Sequence, residues 1–165
     1  MDAAAGVRRP VLLGLGLVAV SALAFLAVRD RLGVALSSDA YSYLAWAERA
    51  LAEGKLDHTP YDFTAPKPLE LAVALLGQAL GQPIVVFGTW AFLCYGAAVL
   101  AAAALAHRLA GPAAALVAGL LAATMPALLR ATGAGDATVP FAACAVGAAA
   151  LGPGRVRPAA LLLAV

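Results

Sequence analysis

The chain has 165 residues, of which 64% are hydrophobic and 12% are charged, whereas soluble domains average roughly 45–50% apolar and 25% charged residues. This composition, with a mean hydropathy of +0.92, excludes an ordinary soluble domain and a disordered chain. The formal net charge of +2 is too small, and the basic residues are too scattered, to indicate a nucleic-acid partner. The apolar residues come in long blocks, as in membrane-spanning helices.

The first apolar block covers residues 10–28 and contains no charged residue. A helix rises about 1.5 Å per residue, so this block is long enough to cross a hydrocarbon core of about 30 Å. We therefore predict the first span here. A signal peptide is the alternative, since Arg8 and Arg9 resemble its basic region and residues 22–24 resemble a cleavage site, but the length of the apolar run favours a span.

The one substantial polar loop covers residues 29–80 and carries most of the charges. Within it, residues 39–54 have the periodicity of an amphipathic helix that ends at Gly54. We expect this helix to lie on the membrane surface. Residues 69–80 are apolar but too short to cross a membrane, so they predict an interfacial or re-entrant helix that begins after Pro68.

Further apolar blocks predict spans over residues 83–106, 113–129 and 134–151. The last apolar run, 158–165, is well short of the roughly 20 residues of a span, and we expect it to begin a fifth helix in a longer protein. The sequence thus predicts an all-α polytopic transmembrane helical bundle. It would have about four spans, the start of a fifth, and one or two extracytoplasmic interfacial helices.

The distribution of arginine predicts the orientation in a plasma membrane. With a cytoplasmic N-terminus, the arginines before the first span and those after the second and fourth spans face the cytoplasm, as the positive-inside rule requires. These residues are Arg8, Arg9, Arg108, Arg155 and Arg157. The 29–80 loop and a hairpin over residues 130–136 then share the extracytoplasmic face.

Two residues of the polar loop are the main candidates for chemistry. Asp39 opens the predicted amphipathic helix, where a carboxylate can act as a general base or can simply stabilise the helix N-terminus. Lys67 lies between Pro66 and Pro68. This stiff segment would present an ammonium group at the membrane surface, either to a phosphate or to solvent.

Other polar residues give weaker signals. Arg130 and Asp136 lie at predicted helix ends, where they can serve a function or pair with each other. His58 and Asp62 are poorly spaced for a metal site because Pro60 separates them, so a divalent metal is possible but not indicated. The aromatic residues of the loop fit an interfacial belt better than a sugar-stacking platform. The aromatic residues with a polar tip in this loop are Tyr41, Tyr43, Trp46 and Tyr61.

The order of these elements resembles the N-terminal portion of the GT-C superfamily of membrane glycosyltransferases, which use polyprenyl-phosphate sugars. The resemblance rests on one span, an external loop with Asp39 before an Ala-rich helix, and the Pro-Lys-Pro-Leu segment at residues 66–69. It implies that Asp39 is the catalytic base and that Lys67 and Asp136 match further substrate-binding positions. Arg130 suits a phosphate contact by its charge, and Tyr61 is a further candidate for substrate binding.

The function that this resemblance implies is sugar transfer from a lipid-linked donor to a glycan, lipid or protein acceptor outside the cytoplasm. Asp39 lacks the second acidic residue that often follows it in this family, and only one proline follows Lys67. The alternative is a small noncatalytic membrane protein, either an accessory subunit or part of a transporter. A transporter would more naturally place its polar groups near the middle of the membrane.

Overall fold

The computed structural model describes residue 16 and residues 19–25, 36–55 and 67–151. Residues 19–25 are helical, and six longer helices follow along the chain. These are α1 (Ser38–Glu53), α2 (Pro68–Ala79), α3 (Pro83–Ala110), α4 (Pro112–Thr124), α5 (Pro126–Gly133) and α6 (Thr138–Leu151).

Proline and glycine set most of the helix ends. Four helices, α2 to α5, begin at a proline, because proline has the φ of a first helical residue and its missing N–H is not needed there. Helix α1 instead begins with a serine cap, in which Ser37 Oγ accepts a hydrogen bond from the backbone N–H of Ala40 at 3.2 Å. It ends at Gly54, which adopts the left-handed conformation typical of a helix C-terminus.

Helix α3 is the centre of the fold and packs against α2, α4, α5 and α6. The connection at Gly111 reverses the chain, and α4 runs back along α3, where the Tyr95 hydroxyl donates to the Ala123 carbonyl at 2.6 Å. Helix α6 runs in the same direction as α3, since Phe87 lies near the turn before α6. At the far end, the Arg108 guanidinium donates to the carbonyls of Ala149 and Ala150.

The buried residues form two apolar clusters along α3. One lies between α1, α2 and the first turns of α3, and it includes Trp46, Leu71 and Phe87. The other surrounds the middle of α3, where Phe25 of the 19–25 segment meets Phe92 edge to face with ring centroids 5.3 Å apart. The first cluster therefore places α1 and α2 at the N-terminal end of α3.

The predicted bundle of about four spans and the start of a fifth is wrong. Within the described part of the chain, α3 is the one helix long and apolar enough to cross a membrane, and a second span exists only if α4 and α5 are counted together. Pro126 separates α4 from α5 with a bend of 50°, so the predicted span at 113–129 is not one straight helix. Helix α6 has only 14 residues.

The two helices predicted in the polar loop are present. Residues 39–54 correspond to α1, and residues 69–80 correspond to α2. The start of a fifth helix at 158–165, Tyr61, and most of the first predicted span at 10–28 lie outside the described residues.

The bend between α4 and α5 predicts a stabilising role for Tyr95. We expect Tyr95→Phe to lower the free energy of unfolding by about 1 kcal/mol, because the Ala123 carbonyl at the break would lose its hydrogen bond. Denaturant titration of the purified chain in detergent measures this change. Tyr41→Phe is the matched control, since Tyr41 is 55% exposed, and equal stability of the two variants would contradict the role of Tyr95.

Candidate functional site

The candidate site begins with Asp39 in the first turn of α1, where it is half-buried. Ser37, and not Asp39, is the residue that caps this helix. Asp39 still benefits from the positive end of the helix dipole, which stabilises a carboxylate in the first turn. The N-cap role that the sequence left open for Asp39 therefore belongs to Ser37.

The turn at residues 134–136 holds the start of α1 in place. The backbone N–H of Ser37 donates to the Ala134 carbonyl at 2.7 Å. Gly135 has a φ of +64°, and a Cβ atom at this position would lie only 3.0 Å from Phe87 Cε1 and 3.3 Å from Ala40 Cβ. This close approach brings α1 and α3 together around the turn.

Asp136 belongs to this turn and caps α6. Its Oδ1 accepts a hydrogen bond from the backbone N–H of Thr138 at 2.8 Å, which satisfies a free amide at the helix N-terminus. Arg130 lies exposed on α5, and the described residues contain no ion pair between Arg130 and Asp136. The structure thus assigns Asp136 a capping hydrogen bond at the start of α6 and does not pair its carboxylate with Arg130.

Tyr43 joins α1 to the start of α2. It lies one helical turn after Asp39, so the two side chains share a face of α1, and it is only 1% exposed. Burial, together with the nearby charges of Glu70 and Asp39, raises the pKa of Tyr43 to about 12, although the backbone of Lys67 acts in the opposite direction. The hydroxyl therefore stays protonated at neutral pH.

Lys67 and Glu70 form the opposite side of the site. Lys67 occupies the N-cap position of α2, and Glu70 lies in the first turn of this helix. Glu70 is only 6% exposed. Burial raises the pKa of Glu70, although a hydrogen bond from its own backbone N–H and the charge of Lys67 act in the opposite direction.

Asp39, Tyr43, Lys67 and Glu70 together form what we call the α1–α2 cluster. It combines two carboxyl groups, one ammonium group and one protonated hydroxyl, so it offers a proton acceptor, a cation for an anionic ligand and a neutral hydrogen-bond donor. Among the described residues, no group of three His, Cys, Asp or Glu side chains is placed to hold a metal ion.

Sequence reasoning missed Glu70 and assigned Tyr43 only to an aromatic belt. Two spacings in the sequence could have indicated these residues. Glu70, the only charged residue in α2, follows Lys67 by three residues, and Tyr43 follows Asp39 by four residues. Neither spacing reveals that the two pairs face each other, because α1 and α2 meet through tertiary packing.

Comparison with known proteins identified no relative. The chain matches no family model, no curated protein and no solved structure. The resemblance to GT-C glycosyltransferases therefore stays a prediction, and function has to be inferred from the arrangement of the α1–α2 cluster.

The turn at residues 134–136 predicts a strong effect of Gly135→Ala. We expect this change to lower the free energy of unfolding by about 1 kcal/mol or more, since the new Cβ would have to occupy a left-handed conformation and press on Phe87. Thermal unfolding in detergent measures the loss. Gly147→Ala, in an open part of α6, is the control and should not destabilise the chain; similar losses in both variants would argue against the close approach at Gly135.

The burial of Glu70 predicts a pH-dependent stability. A raised pKa means that the folded state holds the proton more tightly than the unfolded state, so this contribution is complete below the ordinary value of 4.5 and is lost as the pH rises through the folded pKa. Glu70→Gln should therefore gain stability relative to wild type as the pH rises, by about 1.4 kcal/mol for each unit of difference between the two pKa values.

Unfolding free energies measured between about pH 4 and 8 test this expectation. Glu48→Gln is the matched control, because Glu48 lies exposed on α1 and should show no such trend. A difference between Glu70→Gln and wild type that does not change with pH would contradict the assignment.

Proposed function

We propose that this chain belongs to a membrane glycosyltransferase that transfers a sugar from a polyprenyl-phosphate donor to an extracytoplasmic acceptor hydroxyl. The observation that supports this proposal most is the α1–α2 cluster. The charge of Asp39, at the start of α1, and the backbone of Lys67, at the start of α2, both act on Tyr43. The proton acceptor and the cation that such a reaction needs would thus lie on either side of Tyr43.

The chemistry follows from the residue types. Asp39 accepts the proton of the acceptor hydroxyl while the acceptor oxygen bonds to the anomeric carbon of the sugar. The bond between that carbon and the donor phosphate breaks, and the polyprenyl phosphate leaves with inversion at the anomeric carbon. Lys67 contacts the phosphate, where an ammonium group stabilises the negative charge of the leaving group.

The position of the cluster relative to α3 fits this function. Phe87 and Trp90 near the N-terminal end of α3 pack with the apolar residues beneath the cluster, whereas His107 and Arg108 lie in the last turn. If α3 crosses the plasma membrane, the positive-inside rule places Arg108 in the cytoplasm and the cluster on the extracytoplasmic side. A donor embedded in the bilayer would then present its phosphate at the level of Lys67.

The remaining predicted residues have subsidiary roles in this proposal. Asp136 acts by holding the turn that supports the start of α1, through its hydrogen bond to Thr138. Arg130 lies exposed on α5, where its guanidinium is available to the donor phosphate. The proposal requires no metal ion, since Asp39 supplies the base and Lys67 supplies the positive charge.

The assigned base predicts the outcome of Asp39→Asn. We expect this variant to lose about 10²–10⁴-fold in the rate of sugar transfer, the usual contribution of general base catalysis, while donor binding persists because Lys67 is intact. The measurement is the loss of radiolabelled sugar from a polyprenyl-phosphate donor, with the full chain in lipid nanodiscs and membrane extract as the source of acceptors.

Glu48→Gln serves as the control and should retain the wild-type rate, because Glu48 lies exposed on α1 away from the cluster. Full activity of Asp39→Asn would overturn Asp39 as the base. Donor binding by wild type without any transfer would overturn the catalytic proposal and favour the noncatalytic membrane protein.

A further inference from the structure

Helices α4 and α5, which we call the α4–α5 pair, together return along most of the length of α3. They begin after Gly111, which ends α3, and lead to the turn at Gly135, where a Cβ atom would lie 3.0 Å from Phe87 near the beginning of α3. Phe87 and Arg108 are 21 residues apart in α3, or about 32 Å in a helix. The α4–α5 pair therefore covers the thickness of a hydrocarbon core, which is about 30 Å.

The outward face of the pair is apolar. Residues 109–129 contain no Asp, Glu, Lys or Arg, and α4 has no buried residue. Five large apolar side chains of α4 and its C-terminal cap are more than half exposed; they are Leu116, Val117, Leu120, Leu121 and Met125. A protein partner is normally met by an apolar centre with a polar rim, whereas a face without charged residues over a whole crossing fits acyl chains.

The break between α4 and α5 has its carbonyl groups satisfied within the protein. Pro126 has no N–H to donate to the preceding turn. Three carbonyls near the break accept other hydrogen bonds, from the Tyr95 hydroxyl to Ala123 at 2.6 Å, from the Thr124 hydroxyl to Leu120 at 2.8 Å, and from the Met125 N–H to Ala122 at 3.4 Å. A neighbouring helix and a threonine are the donors that make a proline break tolerable in lipid, where no water can replace them.

Arg130 ends the apolar stretch. It is the first charged residue after Arg108 and lies exposed in the last turn of α5. It follows the exposed residues Pro126 and Ala127 by four and three positions, so the three share one face of α5. The exposed face of the pair thus carries apolar side chains along α4 and a guanidinium at the end of α5, towards the N-terminal end of α3.

We propose that the exposed face of the α4–α5 pair contacts the acyl chains of a bilayer phospholipid and that the Arg130 guanidinium binds its phosphate. The pair then crosses the membrane once, as one helix broken at Pro126. A guanidinium forms bidentate hydrogen bonds with a phosphate, and an arginine near the end of a membrane helix reaches the headgroups with its charged tip.

A bilayer phospholipid fits this face better than a lipid-linked sugar donor does. Sites for substrates are concave and enclose their ligand, whereas the side chains along α4 are exposed over its whole length. An open apolar face is covered by the lipid that surrounds the protein. The inference does not rest on the proposed sugar transfer, in which Lys67 contacts the donor phosphate.

Spin labelling of the full chain in lipid nanodiscs tests the lipid face. A nitroxide is attached at Leu121→Cys or at Val117→Cys, after Cys94 and Cys144 have been replaced by alanine. Power saturation compares collisions with oxygen, which concentrates among acyl chains, and collisions with a water-soluble nickel chelate. We expect the ratio of oxygen to chelate collisions at both positions to exceed severalfold the ratio at the control Glu48→Cys, which lies exposed on α1.

Two results would contradict the lipid face. Chelate collisions as frequent at residues 117 and 121 as at residue 48 would place the face in water. Labels that neither reagent reaches would indicate a protein on this face, such as a second copy of the chain. Either result overturns the proposal.

The role of Arg130 is tested with the native cysteines in place. Thermal unfolding of the full chain in dodecyl maltoside, a detergent without phosphate, is followed at increasing concentrations of phosphatidylglycerol. A lipid that binds the folded state raises the midpoint as its concentration rises. We expect this rise for wild type and for the control Lys55→Gln, which changes an exposed cation. Arg130→Gln should need about tenfold or more lipid for the same rise, because it loses a charge-assisted hydrogen bond.

Diacylglycerol with the same acyl chains and farnesyl phosphate are titrated in parallel. An equal rise with diacylglycerol, or an equal lipid requirement in Arg130→Gln, would show that Arg130 does not recognise the phosphate and would overturn the proposal. A rise with farnesyl phosphate but not with phosphatidylglycerol would assign the face to a lipid-linked donor and would also overturn it. None of these results bears on Asp39, so the transferase proposal stands or fails by its own assay.

Discussion

The arrangement of the candidate site depends on the apolar packing of α1 against α2, in which Tyr43, Trp46 and Leu71 are buried in one cluster. Removal of such side chains from water is the dominant favourable contribution to packing. This packing holds α2 against α1. As a result, the start of α2, where Lys67 lies, is held near the helix that carries Asp39.

Burial in this packing also sets the electrostatic character of the site. The aromatic ring of Tyr43 packs edge to face on Trp46 with a centroid distance of 5.3 Å, and this apolar surface lowers the solvation of nearby charges. Glu70 loses most by this, since it is the most buried carboxyl group of the cluster. The same packing that holds the two helices together thus raises the pKa of Glu70 by burial.

The positions of α1 and α2 were predictable from the sequence. The number of helices long enough to cross a membrane was not. Gly54 and Pro68 correctly indicated the end of α1 and the beginning of α2, because both act through local backbone geometry. The prediction of a span over residues 113–129 treated the apolar residues as one helix and neglected Pro126, which divides them. Hydropathy alone does not register such a break, because it counts side chains and ignores backbone hydrogen bonds.

The sequence by itself determined the apolar character of the chain, the helical segments α1 and α2, and the candidates Asp39 and Lys67. These follow from composition, local periodicity and residue chemistry. Only the tertiary structure decided that Glu70 is buried, that Tyr43 packs in the cluster between α1 and α2, and that Asp136 caps α6 without pairing with Arg130. The first two depend on the packing of α1 against α2, whose residues lie far apart in the chain, and no local pattern encodes such packing. The third is a local contact, but the side-chain conformation that makes it is not written in the residue types.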